Sequence, residues 1–93
     1  MAGLLTDKEI QEQAKRLEDW TVEGKKLQRT FKFKDFVEAI AFINKIVEPA
    51  EAAAHHPDLE ISYNKVNVTL TTHDASGLTS KDFYLAQAIS KIH

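Results

Sequence analysis

The chain has 93 residues, a formal net charge of -2 and no cysteine. That length suits one domain, taken as residues 1–93, with a single modest core. The lack of thiols excludes disulfides, thiolate metal sites and cysteine nucleophiles. The slightly acidic balance argues against direct nucleic-acid binding, which needs a basic excess to displace counterions from phosphates.

In chain order, the first element opens at Thr6, with Glu9 three residues on as a capping box and Leu5 and Ile10 spaced as a hydrophobic staple. Ile10, Ala14 and Leu17 continue one face of a short helix. No apolar run approaches the roughly 20 residues of a membrane helix. The opening "MAGLLTDKEIQ" has no basic segment leading into a long apolar one. A cytoplasmic location is therefore expected, with no membrane partner.

Trp20 and Val22, then Leu27 to Phe33, read as two strands about the turn "EGKK". The basic run "KKLQRTFKFK" splits by parity: Leu27, Phe31 and Phe33 share one face, Gln28, Thr30 and Lys32 the other. It is the polar face of a strand. Asp35 caps the next helix, in which Phe36, Ile40, Ile43 and Val47 form a stripe widened by Ala39, Phe42 and Ile46. Pro49 predicts a kink or stop near Glu48, with a short turn resuming through "AEAAAHH".

The second strand pair switches parity: Leu59, Ile61 and Tyr63 are odd, Val66, Val68 and Leu70 even. A two-residue turn at Asn64-Lys65 produces such a switch. It sets Tyr63 opposite Val66, Ile61 opposite Val68 and Leu59 opposite Leu70, all facing the core. Extended outward, that register brings His56 opposite His73, with Cβ atoms about 5 Å apart. Thr79 then caps the last helix, with Asp82 three residues later and Leu78 stapled to Phe83. The whole reads as an α+β fold: a four-stranded antiparallel sheet with helices on one face, in the order α-β-β-α-β-β-α.

His55, His56 and His73 are the chemically distinctive residues. Three readings compete: half-exposed polar residues at a sheet end, a zinc site of converging imidazoles, or an acid/base site. The "HHP" run lacks the helical i, i+4 spacing of paired metal ligands, so no metal is expected. Imidazole, with an ordinary pKa near 6.5, suits proton exchange at neutral pH.

Laid out in order, Glu51, "HHP" at His55-His56-Pro57, Tyr63, His73 and Asp82 resemble the motif of the pterin-4a-carbinolamine dehydratases. "FKFKDF", "YNKVNVTLTTH" and "GLTSKD" followed by "LA" agree as well, and the similarity runs from about Trp20 to the C-terminus. The resemblance implies a hydro-lyase. It removes water from a tetrahydropterin carrying hydroxyl at carbon 4a, giving the quinonoid dihydropterin, in the recycling of tetrahydrobiopterin. The lone pair of the adjacent N5 expels the leaving group, so no cofactor is implied.

By motif position, His55 and His73 resemble the acid/base pair and His56 a substrate-positioning residue. Glu51 would orient His55 or accept from the pterin's amino-pyrimidine edge. Asp82 would orient, Trp20 would stack on the flat ring, and Lys81 would line the rim. Pro49 within the central helix and Ala54 before the double histidine depart from the family pattern. The resemblance further implies a homodimer or homotetramer. The alternative role is a protein-binding module, a dimerisation cofactor for a transcription factor.

Overall fold

The structure is a computed structural model and describes residues 3–93. Helix α1, Asp7–Ala14, starts where the capping box predicts. Thr6 Oγ1 accepts from the Glu9 N–H at 3.1 Å, and Glu9 Oε1 accepts from the Thr6 N–H at 2.9 Å. Strands β1, Thr21–Glu23, and β2, Lys26–Lys32, pair antiparallel from Glu23 opposite Lys26. The link between them requires φ of 61° at Gly24, which glycine adopts without a Cβ clash.

Helix α2, Phe36–Ala53, begins at Asp35, whose Oδ1 accepts from the Glu38 N–H at 2.9 Å. It contains Pro49 and continues through it as one helix, where the sequence predicts a kink or stop. An interior proline forfeits one backbone bond and costs about 3 kcal/mol relative to alanine. Ala50, immediately after it, is buried in the core, so carrying the helix onward gains packing that a stop would lose.

Strands β3, Asp58–Ser62, and β4, Lys65–Leu70, follow, then a 3-10 turn at His73–Ala75 and helix α3, Ser80–Ile92. The sheet order is β1-β2-β4-β3, with every pairing antiparallel. The predicted α+β class and the order α-β-β-α-β-β-α hold.

The hairpin register differs from the sequence reading by two residues. Ser62 opposes Lys65, Ile61 opposes Val66 and Leu59 opposes Val68, so the turn is Tyr63-Asn64, with φ of 54° at Tyr63. A slip of two leaves every side chain on its original face, so parity could not detect it. The cause lies in β2. The Phe33 N–H donates to the Asn64 carbonyl at 2.7 Å, and Asn64 Nδ2 donates to the Phe33 carbonyl at 2.9 Å. Both bonds hold Asn64 beside Phe33 as the second residue of the turn, where the sequence reading makes it the first.

Leu27, Phe31, Val66, Val68 and Leu70 share the buried face of the sheet, beneath Ala39, Phe42, Ile46 and Ala50 of α2 and Phe83, Leu85, Ala86 and Ile89 of α3. Here α2 differs in phase from the predicted stripe. The alanine-bearing line 39-42-46-50 faces the core, whereas Phe36 and Val47 are exposed and Ile40 and Ile43 are half-buried. The expected inward set also fails: Leu59 and Ile61 are exposed because β3 is an edge strand beyond the helical layer, and Tyr63 is exposed in the turn.

Candidate active site

The site grows from the C-terminal end of α2. Ala54 takes a left-handed conformation, φ 51° and ψ 40°, and its N–H donates to the carbonyls of Ala50 and Glu51. The His55 N–H donates to the Ala50 carbonyl at 3.1 Å, completing a Schellman-type end. This reversal points the next two side chains in different directions.

His55 turns inward. Its Nε2 lies 2.6 Å from Asp82 Oδ1, and the two side chains are 10% and 0% exposed. His56 turns outward and sets Nε2 2.5 Å from Glu51 Oε2, with side chains 63% and 67% exposed. The carboxylate on His55 is therefore Asp82; Glu51 serves His56 instead.

Asp82 belongs to the cap of α3. Its Oδ2 accepts from the Thr79 N–H at 2.9 Å and from Thr72 Oγ1 at 2.8 Å. A carboxylate in the first turn of a helix is favoured by the aligned peptide dipoles. Three donors thus meet on one buried acid: His55 from the end of α2, Thr72 from the loop after β4, and the Thr79 backbone N–H at the α3 cap.

His73 is the residue after Thr72 and opens the 3-10 turn. The expected cross-strand opposition of His56 and His73 does not form, because β4 ends at Leu70 and Thr72 bridges to Gly77. His73 instead follows directly on Thr72, which bonds Asp82, and its own side chain is exposed.

Lys81 is exposed beside Asp82 on the first turn of α3, its N–H donating to Thr79 Oγ1 at 3.3 Å. Trp20 is elsewhere. Its indole N–H donates to Ser90 Oγ at 2.8 Å, and its ring packs edge-on against Phe31 at 6.0 Å. Ser90 lies about 12 Å along α3 from Asp82. Trp20 also lines a recess of about 710 Å³ between α1 and β1, whose lining does not include the histidines.

The sequence does not single out Thr72, and it marks Thr79 only as the cap of α3. The only available signal was the "TTH" run preceding a capping box, which alone says nothing about a shared buried carboxylate. Among the described residues, no group of three or more His, Asp or Glu side chains is arranged to hold a metal ion.

Chemically, the arrangement is a pair of carboxylate-braced imidazoles at one end of a small α+β domain, with a third imidazole on the adjoining turn. A family model described as Pterin 4 alpha carbinolamine dehydratase matches residues 3–92. The chain belongs to this family. Relatives from a Nostoc species and from Trichormus variabilis, both provisionally named pterin-4-alpha-carbinolamine dehydratase, are each 71% identical over 93 residues and cover 100% of both chains. A Brucella melitensis crystal structure, titled as a transcriptional coactivator/pterin dehydratase, superposes with a TM-score of 0.90 at 39% identity, covering 95% of this chain and 96% of that one.

Proposed function

We propose that the protein dehydrates 4a-hydroxytetrahydropterins by histidine acid/base catalysis. The observation that carries this reading is the buried Asp82 carboxylate, which braces His55 and is bonded to the residue that precedes His73. In the reaction the C4a–O bond breaks as the hydroxyl takes a proton. The N5–H proton leaves, and its electron pair forms the C4a=N5 bond of the quinonoid dihydropterin. One imidazole delivers the first proton and another accepts the second.

With Asp82 as carboxylate accepting from Nε2–H, the lone pair of a neutral His55 ring is at Nδ1. Among the described residues no buried side-chain nitrogen or oxygen lacks a partner. Nδ1, outside the Asp82 bond, therefore reaches solvent and is available to a bound pterin. His56 and Glu51 lie at the same helix end, suited to positioning the substrate, with Lys81 on the rim. The test is disappearance of the 4a-carbinolamine in the presence of purified protein. A rate equal to the uncatalysed one would end the proposal.

The protein is further proposed to be a homodimer or homotetramer. The second reading, a dimerisation cofactor for a transcription factor, is favoured by the exposed Phe36 and Val47 on α2. Tight binding to such a factor without turnover would put it first. No helix is long and apolar enough to cross a membrane among the described residues. The proposed location is the cytoplasm, with the nucleus under the second reading.

A further inference from the structure

We propose that Thr72 is the positioning residue that sets the tautomer of His55 and holds the turn bearing His73 against the same carboxylate. The inference rests on the dehydratase reading only for its kinetic consequence. The positioning itself is a property of the free protein.

Thr72 is buried, and each of its polar groups is engaged. Its N–H donates to the Gly77 carbonyl at 3.0 Å, and its carbonyl accepts from the N–H groups of Ala75 at 3.1 Å and Gly77 at 3.3 Å. Those three bonds close the loop that contains His73. The Thr72 hydroxyl lies 2.8 Å from both Asp82 Oδ2 and Thr79 Oγ1.

A hydroxyl has one proton. With Asp82 as a carboxylate, that proton goes to Oδ2, and Thr79 must then donate to Thr72 while accepting from the Lys81 N–H. The direction of the chain is thereby determined: Thr79 to Thr72, Thr72 to Asp82, with His55 donating to Asp82 from the other side. Oδ2 receives two donors and Oδ1 one, which stops the carboxylate rotating. Nε2 of His55 is then the protonated nitrogen, and Nδ1 is the atom left to exchange protons.

The experiment uses the full chain with 15N-labelled histidine. Ring-nitrogen NMR is recorded for wild type, Thr72→Val and Thr72→Ser, with kcat and KM measured on the carbinolamine. Wild type should show His55 protonated at Nε2. Valine keeps the branched shape but lacks the hydroxyl, so His55 should show a mixture of tautomers. Its kcat should fall about 10²-fold, as a displaced catalytic group does, with KM little changed. Serine should restore both readouts.

A wild-type His55 protonated at Nδ1 would overturn the proposal without needing any variant to fold. So would a valine variant with the wild-type nitrogen pattern and kcat, or serine and valine variants impaired alike. If the tautomers respond as stated but wild type lacks dehydratase activity, the positioning stands and the functional reading fails.

Discussion

At the residue scale, the two imidazole–carboxylate pairs differ most in their exposure, and that difference decides what substitutions should do. Asp82 is fully buried, so removing its partner leaves a charge without water. His55→Ala is therefore expected to lose about 3–5 kcal/mol of stability, which would obscure any catalytic effect. His55→Gln retains an N–H donor for Asp82 but cannot exchange protons. It should unfold near the wild-type midpoint while turnover falls by about 10²- to 10⁴-fold. Urea denaturation alongside the carbinolamine assay separates the two; a glutamine variant with wild-type turnover would remove His55 from the chemistry. The Glu51–His56 pair lies in solvent, where such pairs contribute about 0–1 kcal/mol. Glu51→Gln should leave the denaturation midpoint almost unchanged, so any loss of turnover it produces reports on substrate contact. The motif brought all these residues to attention. It could not say which carboxylate served which histidine, because that depends on the left-handed Ala54 sending two adjacent side chains opposite ways.

At the element scale, the helix ends were legible because capping is local chemistry. Thr6 with Glu9, Asp35 with Glu38, and Thr79 with Asp82 all start helices where expected. What escaped depended on distant partners. Pro49 reads as a kink or stop until the burial of Ala50 is known, and Asn64 reads as the first residue of the turn until β2, holding it from both sides, is seen to make it the second. Helix α2 and its C-terminal cap also carry strain that can be relieved. Ala54 has a Cβ in the left-handed region, which costs an L-residue about 1–2 kcal/mol. Ala54→Gly should stabilise the fold by about 1 kcal/mol, glycine's larger unfolded-state entropy offsetting part of the gain. A higher urea midpoint at unchanged slope is the expected result; a lower midpoint would mean that the reversal at His55 does not strain the chain. Pro49→Ala should likewise raise the midpoint, since α2 already runs through that position as a helix.

At the scale of the whole molecule, apolar surface remains that the single chain does not cover. Phe36, Ile40, Ile43 and Val47 follow helical spacing along the outer flank of α2, with Phe36 and Val47 exposed. Strand β3 is an edge of five residues with Leu59 and Ile61 exposed on its helix side, whereas the other edge, β1, has three residues. Scattered exposed apolar residues need no explanation, but a helical stripe and an open strand edge together suit a self-complementary contact. Sedimentation at micromolar concentration should give a mass above the monomer. Val47→Lys tests the helix face and Ile61→Lys the strand edge, and each should lower the assembled mass if its surface is used. Every hydrogen bond that fixes His55 on Asp82, and Asp82 on Thr72, is made within one chain. Dissociated variants should therefore keep their dehydratase turnover. Loss of activity in step with loss of mass, without unfolding, would instead mean that a second copy completes the pterin site.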